Sequence, residues 1–154
     1  MFDGANILVT GGTGSFGHKF TTSVLEKFKP SKLIIYSRGE LKQSQMQERF
    51  QSRCMRYFIG DVRDRESLAR AFQTDVDIVI HAAALKHVLI CEQNPIEAVK
   101  TNILGTQNVV DLAKDAVVQM MLMVSTDKAV SPTSTMGASK YVCLLYTSPS
   151  PRDG

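Results

Sequence analysis

The chain is predicted to be an α/β protein built on a doubly wound parallel sheet. Short apolar runs, each suited to a strand buried on both faces, alternate five times with stretches of helical spacing. No internal repeat breaks the alternation, and the first run ends in a cluster of glycines that opens directly into a helix.

Asn6-Ile7-Leu8-Val9-Thr10 is the first predicted strand. Thr10-Gly11-Gly12-Thr13-Gly14-Ser15-Phe16-Gly17 follows, and then Phe16, Phe20, Val24 and Phe28 recur at helical spacing up to Pro30. The trio Gly11, Gly14, Gly17 is GxxGxxG rather than GxGxxG, a weak signal taken alone. Between a buried strand and a helix it gains a mechanism: glycines admit a pyrophosphate close to the backbone, and the helix N-terminus presents N–H groups to it. Gly11, Thr13, Gly14, Ser15, Phe16 and Gly17 are therefore the first candidates for cofactor contact.

Lys32-Leu33-Ile34-Ile35-Tyr36 is the second strand. A site specific for NAD calls for Asp or Glu at the end of this strand. Here it ends Tyr36-Ser37-Arg38, with Lys42 one turn on, and cations suit a 2′-phosphate. Ser37, Arg38 and Lys42 thus favour NADP, with NAD as the alternative. Arg38 and Lys42 can also be read as solvated loop charges, and Glu40 offsets them. The helix over 40–51 is mostly polar and is expected to be exposed.

Met55-Arg56-Tyr57-Phe58-Ile59 is the third strand, leading into Gly60-Asp61. Asp61, with Val62 beside it, either accepts a hydrogen bond from an adenine amino group or caps the next turn. Asp64 suits an N-cap for a helix carrying Leu68, Ala71 and Phe72 on one face. Residues 76–80 form the fourth strand. The small residues Ala82, Ala83 and Ala84 after His81 would let backbone lie against a cofactor. Lys86 and His87 come next, and no second ligand stands at metal spacing from His87, so no metal site is expected. Asn94-Pro95 starts a helix in which Ile96, Val99, Ile103 and Val110 form the expected buried stripe. Asn102 falls inside that helix, where an amide is disfavoured unless exposed or partnered. Residues 119–124 form the fifth strand, with its methionines expected to fill core.

At the end of that strand, Val124-Ser125-Thr126-Asp127-Lys128 sets a hydroxyl, a carboxylate and an amine side by side, and Met136-Gly137-Ala138-Ser139-Lys140 adds a second amine. Residues 1–142 are expected to be one dinucleotide-binding domain. Residues 143–154, with two prolines in three positions, break the pattern and are expected to be an irregular or non-native tail, of the kind a translated sequencing adapter leaves. The chain then reads as the N-terminal part of an enzyme, truncated before its substrate-binding region.

The 154 residues suffice for one domain with a real core, and 44% hydrophobic with 21% charged residues is ordinary for a globular protein. A net charge of +3 is too small to point to nucleic acid. Cys54, Cys91 and Cys143 form no paired spacing and are expected to be reduced thiols. With neither a signal peptide nor an apolar run of membrane-spanning length, the chain is expected to be cytoplasmic.

These residues together resemble the extended short-chain dehydrogenase/reductase superfamily, with a Rossmann fold. Within it the resemblance is to the CapD-like polysaccharide-biosynthesis branch, the UDP-N-acetylglucosamine 4,6-dehydratases. It is carried by TGGTGSFG (10–17), YSRGELKQ (36–43), FIGDVRD (58–64), HAAALKHV (81–88), NPIEAVKTNILGT (94–106) and STDKAVSPTSTMGASK (125–140). The resemblance implies a lyase with a recycled NADP or NAD, a UDP-sugar substrate and a homo-oligomer when full length. It further implies oxidation at C4, removal of the C5 proton by Lys128, protonation of the leaving C6 hydroxyl by Asp127, and hydride return to C6. Thr126, with Ser125 as a second candidate, would hydrogen-bond the C4 oxygen. Lys140 would hold the nicotinamide ribose, Lys86 is a further candidate for cofactor contact, and Asn102 would support the loop. For the Lys128 amine to act near neutral pH its pKa must fall, which burial and nearby Lys140 would favour, while Asp127 and Lys128 titrate as a coupled pair.

The departure is Met136, where superfamily members usually have the tyrosine of YxxxK. A thioether takes no proton, which leaves Asp127 or a water held by Thr126 as candidates for the C4 base. Some CapD-like members share MxxxK. The competing expectations are a non-catalytic NADP-binding module and a UDP-sugar epimerase or reductase.

Overall fold

The computed structural model describes residues 1–83 and 93–124. Five parallel strands, β1 (Asn6–Thr10), β2 (Lys32–Ser37), β3 (Met55–Ile59), β4 (Ile78–His81) and β5 (Met120–Met123), lie in the order β3-β2-β1-β4-β5. The pairings put Leu8 opposite Ile34 on one side and Val79 on the other. This is the doubly wound sheet that the apolar runs predict.

Strand periodicity sorts those runs onto two faces. Leu8, Ile34 and Val79 pack with α3 (Arg65–Phe72) and α5 (Gly105–Asp115). Ile7, Val9, Leu33, Ile35, Ile78 and Ile80 pack with α1 (Ser15–Lys27) and α2 (Glu40–Arg49). Both faces are covered, so the middles of β1, β2 and β4 are buried on both sides and apolar, while their C-terminal ends carry the buried polar Thr10, Ser37 and His81. On α1, Val24 is buried while Phe16 and Phe20, with Phe28 at the helix C-cap, pack against the same cluster. The Asp64 carboxylate caps α3 by accepting from Ser67 N at 3.2 Å, as its sequence position predicts.

Three expectations need correction. The helix over 40–51 is not simply exposed: Gln43 and Met46 are buried at 5% and 0% exposure. The methionines of β5 are partly buried rather than enclosed, with Met120 and Met121 packed against opposite core clusters. Of the stripe Ile96, Val99, Ile103, Val110, only Val110 is buried as expected. Pro95–Ala98 (α4) runs through a π-helical stretch, Val99–Leu104, into α5. Ile96 and Val99 are exposed, Ile103 is half-buried, and Ala98, Thr101, Asn102, Gly105 and Thr106 turn inward instead. The wide π turns break the 3.6-residue period on which the stripe relied. Small residues face inward because the rod comes close to Val62; a Cβ at Gly105 would lie 2.7 Å from Val62 Cγ2.

The C-terminus of α5 closes in a Schellman turn. Val118 N donates to Ala113 O and Val117 N to Lys114 O, both at 3.1 Å. The residue in the left-handed position is Val117, at φ 52° and almost fully exposed. A β-branched residue there is strained by about 1–2 kcal/mol. Val117→Gly is expected to raise unfolding stability by about 1 kcal/mol, the relief exceeding the extra entropy of glycine in the unfolded chain. Urea unfolding showing no gain would contradict the strain.

Candidate functional site

A parallel sheet opens a crevice where consecutive crossovers leave in opposite directions, here beyond the C-terminal ends of β1 and β4. A cleft of about 810 Å³ lies at these strand ends. The glycine turn borders it with Gly11, Thr13, Gly14 and Ser15, β2 and the turn after it with Ser37, Arg38 and Lys42, the turn after β3 with Asp61 and Val62, and the end of β4 with Ala82 and Ala83. Eleven expected cofactor residues from four separate segments are therefore brought to one cleft.

The glycine turn is shaped by contacts that side chains would prevent. Gly11 has φ +65°, and a Cβ on it would lie 2.7 Å from Ala83 backbone. A Cβ on Gly17 would sit 1.9 Å from Gly12 O, so α1 can approach β1 only with glycine there. Gly14 differs: an added Cβ would meet only Gly11 O, at 3.5 Å. It stands at the N-cap of α1 and borders the cleft, so the space beside it is room for a ligand and not for protein. A turn open at the helix N-terminus, with close backbone packing behind it, fits a dinucleotide pyrophosphate.

The opposite wall is held by the Thr10 hydroxyl. It accepts hydrogen bonds from Ala82 N at 3.1 Å and Ala83 N at 3.3 Å. With its lone pairs so engaged, its proton goes to His81 Nδ1, 2.6 Å away. That makes Nδ1 an acceptor and puts the imidazole proton on Nε2, which donates to Thr106 Oγ1 at 2.8 Å. Thr10, His81 and Thr106 are all buried. The chain of bonds ties β1, β4 and α5 together directly behind the glycine turn.

Asp61 borders the cleft and also caps its own turn. Its carboxylate accepts from Arg63 N at 2.9 Å and from Arg63 Nε at 3.0 Å, with Arg38 3.9 Å away. Partial burial pushes the Asp61 carboxyl up, but the hydrogen bonds and charge of Arg63, with the charge of Arg38, outweigh it and hold it below the ordinary carboxylate value. Arg63 also pairs with Glu97 on α4. Beneath this turn the buried Tyr36 hydroxyl donates to Asp61 O at 2.9 Å and accepts from the Ser67 hydroxyl at 3.1 Å. Burial pushes this phenol up, keeping it a neutral donor. Val62 O in turn accepts from Asn108 Nδ2 at 2.9 Å.

Three expected cofactor residues lie elsewhere. Phe16 stacks its ring on Phe20, with centroids 5.9 Å apart. Gly17 lies behind the turn, and Asn102 is fully buried in the π-helical stretch, where its neighbour Thr101 borders the cleft instead. Ala84, Lys86, Thr126, Asp127, Lys128 and Lys140 lie outside the described residues, as does the expected tail over 143–154. Tyr36, Gly39, Gly60 and Thr101 border the cleft without having been expected. Each of them stands next to a residue that was expected: Tyr36 beside Ser37, Gly39 beside Arg38, Gly60 beside Asp61 and Thr101 beside Asn102.

The sequence profile of the family described as "Polysaccharide biosynthesis protein" matches residues 7–151. The chain belongs to this family. A UDP-N-acetylglucosamine 4,6-dehydratase (inverting) of Campylobacter jejuni subsp. jejuni is 58% identical over 140 residues, which are 91% of this chain and 42% of that protein. A UDP-glucose 4-epimerase of Rickettsia massiliae is 44% identical over 147 residues, again 91% of this chain and 42% of the relative. Among solved structures, Pen from Bacillus thuringiensis superposes with a TM-score of 0.90 at 41% identity, covering 95% of this chain and 45% of that one. The chain thus spans 42% of the length of these two curated relatives. Among the described residues no helix is long and apolar enough to cross a membrane.

The two outer glycines of the trio are expected to respond differently to a methyl group. Gly17→Ala must push α1 off β1 and is expected to cost about 3 kcal/mol or more. Gly14→Ala is expected to cost only about 1 kcal/mol, a helix-cap effect, while weakening dinucleotide binding at least about tenfold. Thermal unfolding alongside dinucleotide titration checks this. Equal stability losses, or undiminished binding by Gly14→Ala, would refute the assignment of the free space.

Proposed function

We propose that this chain is the dinucleotide-binding part of an NADP-dependent UDP-N-acetylglucosamine 4,6-dehydratase in surface-polysaccharide or glycan sugar synthesis, acting in the cytoplasm and inverting C5. What carries this proposal is the 58% identity to a dehydratase of that name over 91% of the chain. The cleft supports it. The open glycine turn at the α1 N-terminus suits a pyrophosphate, and Asp61 beside Val62 suits an adenine edge.

In this proposal Gly11, Thr13, Gly14 and Ser15 hold the pyrophosphate, Ser37, Arg38 and Lys42 hold the ribose end, and Ala82, Ala83 and Ala84 form the wall. When bound, the dinucleotide supplies reversible uptake of a hydride, taken from C4 and returned at C6. The chain's own residues move the protons. The Lys128 amine takes the C5 proton, which a ketone at C4 has made acidic, and Asp127 gives its proton to the C6 oxygen as the C6–O bond breaks and water leaves. Once C6 has regained a hydride, a proton from water completes C5 on the opposite face, as inversion requires. Thr126 hydrogen-bonds the C4 oxygen. Lys140 and Lys86 hold the cofactor, and Asn102, buried one turn from the cleft, supports that wall. The C4 proton goes to Asp127 or to a water held by Thr126, since Met136 takes none. The family's substrate-gripping region lies beyond residue 154 in this proposal, and the full-length protein is a homo-oligomer.

A second assignment has its own support in the 44% identity to a UDP-glucose 4-epimerase. The adjacent Asp127 and Lys128 favour the dehydratase, because epimerisation at C4 expels nothing from C6. Incubating the full-length enzyme with UDP-N-acetylglucosamine is expected to yield a product one water lighter by mass spectrometry. A C4 epimer of unchanged mass would point to the epimerase, and no conversion of either kind to a non-catalytic dinucleotide-binding module. Lys128→Ala is expected to lower the dehydration rate at least about a hundredfold while dinucleotide binding persists; full turnover in that variant would exclude Lys128 as the base.

Cofactor choice is testable separately. Arg38→Ala is expected to weaken NADP about tenfold or more, the scale of one charge-assisted phosphate contact, and to leave NAD nearly unaffected. Equal losses for the two in fluorescence titration would make Arg38 a solvated loop charge.

A further inference from the structure

Gln43 is a buried amide on a helix whose polar sequence predicts exposure, and it stands behind the cleft rather than in it. Its Nε2 is 2.8 Å from Phe58 O, 3.0 Å from Ser37 Oγ and 3.3 Å from Ser37 O. Two of these partners are carbonyls, which only accept, so the nitrogen and not the oxygen of the amide faces them. The Ser37 hydroxyl must therefore accept from Gln43, and its own proton points elsewhere. Among the described residues that proton has no acceptor. Ser37 borders the cleft together with Arg38 and Lys42.

We propose that Gln43 is a positioning residue: it turns the Ser37 hydroxyl into a donor toward the 2′-substituent of a bound adenosine ribose, and so favours a 2′-phosphorylated dinucleotide. The inference rests on the proposal that this cleft binds a dinucleotide. A phosphate offers only acceptors and carries charge, so a hydroxyl fixed as donor beside two cations makes a charge-assisted bond with it, roughly twice as strong as the neutral bond to a ribose hydroxyl. Gln43 acts from outside the cleft by occupying one Ser37 lone pair with its own N–H, which turns the hydroxyl proton away from the amide and toward the cleft. Its bond to Phe58 O also joins the ends of β2 and β3, so Ser37 stays in place while its proton is directed.

The test is equilibrium titration of NADP and NAD against the wild-type protein, Gln43→Met, Ser37→Ala and the double variant. Methionine has similar length and no donor. Gln43→Met is expected to shift the NADP-to-NAD affinity ratio about tenfold toward NAD, which corresponds to about 1.4 kcal/mol. Ser37→Ala is expected to do the same, and the double variant to shift the ratio no further, as expected of residues acting through one contact. Equal weakening of both dinucleotides by Gln43→Met marks a merely structural role and overturns the proposal, as do effects that multiply in the double variant. Should Gln43→Met fail to fold, Ser37→Ala alone decides: an unchanged ratio refutes it. A wild-type protein that binds neither dinucleotide removes the cofactor assignment itself, whereas one that binds both with a ratio unmoved by the variants removes only the role of Gln43.

Discussion

The cleft depends on one hydroxyl. Where β1 and β4 end, their chains part in opposite directions; the Ala82 N–H still reaches Thr10 O at 3.0 Å, but the Ala83 N–H has no strand partner among the described residues. Thr10 Oγ1 accepts both, from Ala82 and Ala83, and passes its own proton to His81. Buried polar groups left unpaired are costly, and a network satisfied at every member is rigid. Gly11 can therefore press against Ala83 with no room for a Cβ, and the turn that follows keeps a fixed distance from the β4 wall. The imidazole extends this support to Thr106, so the helical rod behind the sheet is registered against the same point.

That rod explains the other wall. Its π-helical turns bring Thr101 to the cleft and set Gly105 against Val62, while Asn108 holds the Val62 carbonyl. π turns are often retained where a function needs a side chain displaced from the regular spiral. Here the displacement moves small and polar residues inward and apolar ones out. Arg63, bonded to Asp61 on one side and Glu97 on the other, links the Asp61 side of the cleft to the start of the same rod. Exposed ion pairs add little stability, so the consequence of this one lies in orienting the Asp61 carboxylate and keeping it ionised.

Much of this was legible in the residues. Five apolar runs and a glycine turn predicted the sheet, its two covered faces and the location of the cleft, and eleven of the expected cofactor residues do border it. Two expectations failed where local pattern misled. Ile96 and Val99 were placed inward by a period that the π turns interrupt, and Gln43 was placed outward because it is polar.

The sequence by itself determined which segments are strands, in what order they come and where the chain turns. Strands buried on both faces must be apolar along their middles, and only glycine tolerates both the Gly11 conformation and the Gly17 contact. Only the tertiary structure decided which polar groups are buried and what they hold. Thr10 meets His81 across 71 residues of chain, and Gln43 is buried only because the strand ends at Ser37 and Phe58 supply acceptors for its amide. A buried polar side chain is stable only where distant segments complete its hydrogen bonds, and local spacing carries no record of those partners.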